Sequence, residues 1–185
     1  MPAPCAPCPM TGPGWFIDSV RAPFAYGPPL TRYLWALKFQ GQRLLGRALG
    51  QLLVTEIESP GIDIDAILSV PLHPRRLRSR GFNQADEIAG PIAARLKRPA
   101  LVSGVRRKIE TRPQTELDRH ARLKNPRLSF SITRDFTGYR LAIVDDVITT
   151  GATVNALAEA LKGNGAVSVV AWAVARGIGG AQQTG

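Results

Sequence analysis

Residues 141–153 constrain the fold more than any other stretch of this chain. An apolar run of β-forming residues ends in two adjacent carboxylates, Asp145 and Asp146, and a short turn leads into an apolar helical pattern over 154–161. In an open α/β sheet, ligands bind at the carboxyl ends of the strands, where both acids are expected to emerge. The stretch therefore predicts a strand, a ligand-binding turn and a helix.

The turn after the two acids suits a sugar phosphate. Free backbone N–H groups at the start of a helix and the positive end of its dipole favour an anion. Small residues allow close backbone approach, and threonine hydroxyls add donors. The residues expected to hold a 5′-phosphate are Thr149, Thr150, Gly151, Ala152 and Thr153. An ordinary turn with one capping threonine is the alternative, although capping needs one hydroxyl and not this series.

These residues resemble the motif with which type I phosphoribosyltransferases bind 5-phosphoribosyl-1-pyrophosphate (PRPP): an apolar strand, two acids and Thr-Thr-Gly-x-Thr. The resemblance implies that Asp145 and Asp146 are catalytic residues that hold the ribose hydroxyls. It also implies Mg²⁺ as a cofactor that enters with PRPP and has no direct protein ligand. Other phosphate loops fit less well, because neither Gly-x-x-x-x-Gly-Lys-Ser/Thr nor a post-strand Gly-x-Gly-x-x-Gly is present.

The composition favours a phosphate-bearing ligand. The formal net charge is +10, and arginine, which binds phosphate in a bidentate manner, accounts for most of the basic residues. Coding bias or solubility is the alternative reason for this excess. The length and the 44% hydrophobic content predict one globular domain. No apolar stretch approaches about 20 residues and no leader opens the chain, so we expect a cytoplasmic protein without a membrane span.

A second core strand, predicted over 64–70, runs into two prolines, a glycine and four arginines. We expect an irregular cationic loop there, followed by a helix over 84–96 that Asn83 caps. A departing pyrophosphate needs such fixed donors, whereas the simpler alternative is a solvated basic loop. The expected pyrophosphate ligands are Pro71, Leu72, Arg76, Arg80 and Gly81. The candidate nucleic-acid contacts are Arg75, Arg78, Arg106 and Arg112.

Residues 70–84 read Val-Pro-Leu-His-Pro-x-Arg-x-x-x-Arg-Gly-Phe-Asn-Gln. This pattern is similar to the signature of the ComF family, which comprises phosphoribosyltransferase-like proteins associated with DNA uptake in competent bacteria. Residues 111–122, centred on Pro-Gln-Thr, extend the resemblance. It implies an α/β fold of the type I phosphoribosyltransferase kind, with a mainly parallel central sheet and flanking helices. It also implies PRPP as ligand and single-stranded DNA and competence proteins as candidate partners.

The resemblance is weakest at the front of the chain. ComF proteins commonly begin with a zinc module of several Cys-x-x-Cys pairs, whereas this chain has only Cys5 and Cys8. One pair is half of a tetrahedral site, so we expect no bound zinc here; a redox dithiol is the alternative. The predicted domains are a flexible Cys/Pro-rich remnant of the zinc region over 1–23, a phosphoribosyltransferase-like domain over 24–177 and a disordered tail over 178–185.

Residues 106–127 carry eight basic and three acidic residues. In phosphoribosyltransferases the corresponding stretch is a mobile loop that closes over the ligand. The resemblance therefore implies that Arg107 or Lys108 approaches the departing pyrophosphate as a catalytic residue. His120 is more simply a solvated histidine than a base.

Helices are also predicted over 30–39 and 44–57, where they would cover one edge of the sheet, with Lys38 and Arg43 as solvated charges. The remaining strands are expected over 101–105, 128–132, 139–144 and 167–175.

Two other functions stay open beside phosphoribosyl transfer. One is a PRPP sensor without catalysis, because no acceptor site can be recognised in the sequence. The other is a single-stranded-DNA-binding protein. Against it, Phe82 is the only aromatic ring between Arg75 and Arg127, so stacking platforms are scarce in the basic segments.

Overall fold

The structure, a computed structural model, describes residues 12–57, 63–108 and 130–177. The strands are β1 (Ser19–Arg21), β2 (Phe24–Ala25), β3 (Ala66–Ser69), β4 (Ala100–Leu101), β5 (Val105–Arg107), β6 (Phe130–Ile132), β7 (Arg140–Ile148) and β8 (Ser168–Arg176). The helices are α1 (Leu30–Phe39), α2 (Arg43–Ile57), α3 (Pro74–Arg80), α4 (Gln84–Leu96) and α5 (Ala152–Lys162). None of the helices in these ranges has the length and apolar character needed to cross a membrane.

A parallel sheet in the order β1-β8-β7-β3-β4 forms the centre, and β2 also pairs with β8. Its two long strands, β7 and β8, are buried along most of their length, as expected for parallel strands covered on both faces. Strands β5 and β6 form a separate antiparallel ribbon. The predicted class, an α/β fold with a mainly parallel sheet and flanking helices, is confirmed.

Alternation along β7 separates two hydrophobic cores. Leu141 and Ile143 pack into the core that α5 covers, whereas Ala142 and Val144 belong to the core beneath α2 and α4. Helix α2 packs closely on α4, so α1 and α2 help to cover a face of the sheet. The expectation that these two helices cover an edge was wrong, because α2 packs on α4 and β8 and α1 packs on α2.

Helices α1, α2, α4 and α5 follow the sequence prediction closely. Helices α1 and α4 have the predicted bounds, and Asn83 caps α4 by accepting a hydrogen bond from the Ala85 N–H at 3.2 Å. Strand β7 differs, because it continues through both acids to Ile148 where an end at Val144 was predicted. The single strand predicted over 101–105 is instead two strands, β4 and β5, separated at Gly104 with φ of +99°.

The sheet begins earlier in the chain than predicted. Residues 1–23 were assigned to a flexible terminus, yet β1 pairs in parallel with β8 and Ile17 is buried in the core. Residues 1–11, with Cys5 and Cys8, and the predicted tail over 178–185 lie outside the described ranges.

Candidate functional site

The acid pair, the turn that follows it and the start of the arginine-rich segment lie together at the carboxyl edge of the sheet. Strands β3 and β7 are paired there, and the Val70 N–H donates to the Val144 carbonyl at 2.8 Å. The loop that begins at Pro71 therefore starts beside Asp145. The crossover from β7 to α5 leaves the same edge, so the acids, the phosphate turn and the arginine-rich segment are neighbours.

Residues 149–153, the phosphate turn, connect β7 to α5. Gly151 is the N-cap of α5 with φ of +75°, a left-handed conformation that glycine adopts without a Cβ penalty. No side chain caps the helix, and only a long contact of 3.4 Å joins the Ala152 N–H to Thr150 Oγ1. Thr149 and Thr150 are exposed. The turn therefore offers first-turn N–H groups and two hydroxyls to an anion.

Asp145 and Asp146, the acid pair, lie at the end of β7 and interact with each other. The Asp146 N–H donates to Asp145 Oδ1 at 2.8 Å. Burial of the Asp145 carboxyl, reinforced by the adjacent Asp146 charge, raises the pKa of Asp145 well above its ordinary value. The negative charge of the neighbouring Asp146 thus makes ionisation of Asp145 less favourable than that of an isolated aspartate.

Lys38 neutralises the second acid. Asp146 is only 4% exposed, and its Oδ2 forms an ion pair with the Lys38 ammonium from the last turn of α1. Gln84, the first residue of α4, donates from Nε2 to Asp146 Oδ1 at 3.4 Å and accepts from Arg80 at 2.5 Å. Four elements, α1, α3, α4 and β7, therefore converge on one buried carboxylate.

The arginine-rich segment is a helix and not the irregular loop that its prolines suggested. Pro74 occupies the first turn, where its missing N–H is not needed, and His73 Nδ1 accepts from the Arg75 N–H at 3.3 Å. Gly81 ends α3 with φ of +80°. The proline and glycine that were interpreted as helix breakers are thus the start and stop signals of a short helix.

The arginines of helix α3 line two different grooves. The first, the basic groove, has a volume of about 710 Å³ and is lined by Lys38, Phe39, Gly41, Arg75, Arg76, Ser79, Arg80 and Phe82. The second, the ribbon groove, has a volume of about 360 Å³, and its lining includes Pro71, Leu72, Arg78, Arg106 and Arg107. The predicted pyrophosphate ligands are therefore divided, with Arg76 and Arg80 in one groove and Pro71 and Leu72 in the other.

Arg107 and Lys108, predicted as catalytic residues, lie at the end of β5. The Arg107 guanidinium sits over the Phe130 ring, 5.7 Å from its centroid, and Arg107 is half-buried. Lys108 is exposed at the last described position before the gap. Arg112 and His120 fall outside the described residues, as does most of the predicted mobile loop.

Comparison with known proteins identifies the family. Residues 84–182 match the Phosphoribosyl transferase domain. The chain is 34% identical over 178 residues to DNA utilization protein YhgH of Escherichia coli K12, covering 94% of this chain and 78% of that protein. It is 32% identical over 180 residues to Competence protein F of Haemophilus influenzae, covering 93% and 78%. The chain belongs to the ComF family.

Among solved structures, glutamine PRPP amidotransferase from B. subtilis, complexed with ADP and GMP, is similar in fold to this ComF-family chain. The TM-score is 0.48 and the identity 22%, over 69% of this chain and 26% of the amidotransferase chain. The chain thus spans about a quarter of the length of that structure.

The ComF signature over 70–84 has a structural basis. The Asn83 amide donates to the Val70 carbonyl at 3.1 Å, which ties the two ends of the signature together around α3. Asn83 also donates to Asp86 Oδ1 at 3.0 Å, and Asp86 accepts from Ser69. The signature therefore closes a loop at the end of β3 and places Gln84 against the acid pair.

Two ion pairs to buried acids could not be foreseen from the sequence, where Lys38 and Arg43 were expected to be solvated charges. Lys38 pairs with Asp146, and Arg43 Nε donates to the buried Glu87 carboxylate at 2.8 Å. The sequence contains only a weak indication of these contacts. Lys38 and Arg43 lie on either side of Gly41, between α1 and α2, where their side chains can reach a third element. Neither partner can be assigned without the packing of α1 and α2 on α4.

Proposed function

We propose that the protein binds PRPP together with Mg²⁺ and transfers its phosphoribosyl group to an acceptor. In that reaction the bond from ribose C1 to the pyrophosphate oxygen breaks, the oxygen keeps the electron pair, and C1 forms a bond to the nucleophile. The observation that carries the proposal is the continuity of the acid pair with the phosphate turn. A vicinal diol and a 5′-phosphate on one ribose need such neighbouring acceptors and donors.

Each part of the site has a role in this proposal. The first-turn N–H groups of α5 and the hydroxyls of Thr149 and Thr150 bind the 5′-phosphate. Asp145 and Asp146 accept hydrogen bonds from the ribose hydroxyls and fix the orientation of C1.

Magnesium fits this donor set as a companion of the ligand. The described residues contain no group of three His, Cys, Asp or Glu side chains that could hold a metal ion. Phosphate oxygens of PRPP and water would supply most of its ligands, and the acid pair adds hard oxygens at the same edge of the sheet. When bound, Mg²⁺ neutralises charge on the departing pyrophosphate.

A thermal-shift experiment tests ligand identity. PRPP with Mg²⁺ should raise the melting temperature, because a ligand at about 100 times its Kd stabilises the native state by about 2.7 kcal/mol. Ribose 5-phosphate should stabilise less, since it lacks the pyrophosphate, and glucose 6-phosphate serves as the control. Stabilisation by glucose 6-phosphate without any by millimolar PRPP would refute the assignment. Pyrophosphate release with an acceptor mixture distinguishes transfer from PRPP sensing.

A second function is binding of single-stranded DNA. It is supported by an aromatic surface on α1 and by similarity to a DNA utilization protein and a competence protein. Trp35 and Phe39 are 54% and 65% exposed, and their ring centroids lie 5.7 Å apart. Arg80 from the basic groove sits over the Phe39 ring at 5.6 Å. Bases stack on such rings while arginines bind the phosphates, so the platform that the basic segments lack comes from another helix.

Binding of an oligothymidylate is expected to be independent of sequence and to weaken steeply as salt rises. Replacement of Trp35 or Phe39 by alanine should weaken it about 5-fold or more, because one stacked base contributes about 1–3 kcal/mol. Tyr26→Ala, which removes an exposed ring elsewhere, is the control. Fluorescence anisotropy at several salt concentrations measures these effects. Equal losses in all three variants, or affinity that ignores salt, would contradict the DNA site.

A further inference from the structure

Lys38 belongs to two features at once. Its ammonium forms the ion pair with Asp146, and its side chain, 24% exposed, is also part of the wall of the basic groove. The same wall contains Arg75, Arg76 and Arg80. The lysine therefore stands at the junction between the carboxylate expected to hold ribose and a groove of concentrated positive charge.

The basic groove has the chemistry of a polyanion site. Four cationic side chains line it, and none of the described residues in its lining is acidic. Burial lowers the pKa of Arg80, and the negative charge of Asp146 partly offsets this effect. The guanidinium is therefore partly desolvated and is attracted to the Asp146 carboxylate. Cations held this close to one another favour a ligand with more than one negative charge.

We propose that the basic groove receives the diphosphate end of PRPP and that Lys38 is a diphosphate-binding residue. This inference rests on the function proposed above. In the ligand-free protein Lys38 is the counter-ion of Asp146; when PRPP binds, the ribose hydroxyls take the carboxylate and the ammonium turns to the diphosphate. The proposed diphosphate site thus includes Lys38, Arg75, Arg76 and Arg80, which all line the basic groove.

This exchange makes Lys38 a specificity-determining residue. A ligand that carries a diphosphate gives the ammonium a new partner when the Asp146 pair breaks. Ribose 5-phosphate has none to offer, so it must compete with Lys38 for Asp146 without compensation. The lysine thereby favours the activated sugar over the hydrolysed one.

Calorimetric titration of the full chain with PRPP, inorganic pyrophosphate and ribose 5-phosphate tests the proposal. Lys38→Met should weaken PRPP and pyrophosphate binding by about ten-fold or more, because hydrogen bonds to charged groups are lost. Ribose 5-phosphate should bind as well as before or more tightly. Lys162→Met is the matched control, since Lys162 also lies in the last turn of a helix and pairs with Asp18 at 2.6 Å; it should change none of the three.

Lys38→Met removes the cation that pairs with the buried Asp146 and could therefore destabilise the fold. A second pair of variants tests the proposal in that case. Asp146→Asn should bind pyrophosphate more tightly than the wild type, because Lys38 is released and a negative charge is removed. The double variant K38M/D146N, which buries no lone charge, should lose that gain and bind at least ten-fold more weakly than Asp146→Asn.

The outcomes separate this inference from the proposed function. Pyrophosphate binding that Lys38→Met leaves unchanged, equal weakening of all three ligands, or no pyrophosphate binding by the wild type would each overturn the role of Lys38. Pyrophosphate binding that depends on Lys38, in a protein that does not bind PRPP, would retain the groove and refute phosphoribosyl binding instead.

Discussion

Asp145→Asn is expected to weaken PRPP binding by about ten-fold or more while raising the melting temperature of the ligand-free protein. The amide keeps the size of the carboxyl group, and its oxygen can still accept from the Asp146 N–H. It loses acceptor strength toward the ribose hydroxyls, and hydrogen bonds that involve a charged group contribute about 1.5–3 kcal/mol. Titration calorimetry with PRPP and Mg²⁺ measures the loss of affinity.

The gain in stability follows from the raised pKa of Asp145. The folded state binds this proton more tightly than the unfolded state, so the stabilising contribution is complete below the ordinary pKa of about 3.9. It is lost as pH rises through the raised pKa in the folded protein. Asparagine does not ionise, so the variant does not lose this stability. Its melting temperature should therefore exceed that of the wild type by an amount that grows from about pH 4 toward neutrality. Each kcal/mol of difference in the free energy of unfolding corresponds to about 2–4 °C. A pH-independent difference would contradict the raised pKa of Asp145.

Thr150→Val distinguishes the phosphate turn from the acid pair. Valine keeps the volume of threonine but removes the hydroxyl that we propose binds the 5′-phosphate, so PRPP, ribose 5-phosphate and inorganic phosphate should all bind more weakly. Asp145→Asn should leave inorganic phosphate binding about normal. If Asp145→Asn and Asp146→Asn both folded normally and left PRPP binding intact, the acids would not be ribose ligands.

The strand–turn–helix over 141–153 could be predicted from sequence because its determinants are local. An apolar run, two acids and a small-residue turn each act within a few positions, and the same holds for the helical periodicity of α1, α2 and α4. The prediction over 74–80 was wrong although the determinants there are local as well. Proline was interpreted as a helix breaker. In the structure His73 caps the start of the helix, the proline occupies its first turn and Gly81 ends it.

The environment of Asp146 could not be predicted, because it is set by packing between distant parts of the chain. Lys38 reaches the acid only because α1 lies against the α2–α4 layer, and Gln84 only because Asn83 ties the start of α4 to Val70. The aromatic surface was missed for the same reason, since Phe39 meets Arg80 across the groove and not along the sequence. Contacts between elements depend on geometry that no single stretch contains.

Gly50→Ala should destabilise the protein by about 3 kcal/mol and lower its melting temperature by several degrees. A Cβ built at Gly50 in α2 would lie 2.3 Å from the backbone carbonyl oxygen of Ile88 in α4, so the two helices would have to separate. Backbone atoms cannot rotate away as a side chain could, which is why the cost is near the top of the range for overpacking.

The sign of this effect is itself diagnostic. At an unobstructed helix position, glycine to alanine stabilises by about 1 kcal/mol, because alanine loses less backbone entropy on folding. Gln51→Ala is the control, because it places alanine at the next, exposed position of α2. It should change the free energy of unfolding by less than about 0.5 kcal/mol. Urea denaturation of the three proteins gives the comparison. A stabilising Gly50→Ala would mean that α2 and α4 are further apart than described, and the layer that carries Lys38 and Gln84 to Asp146 would then need a different packing.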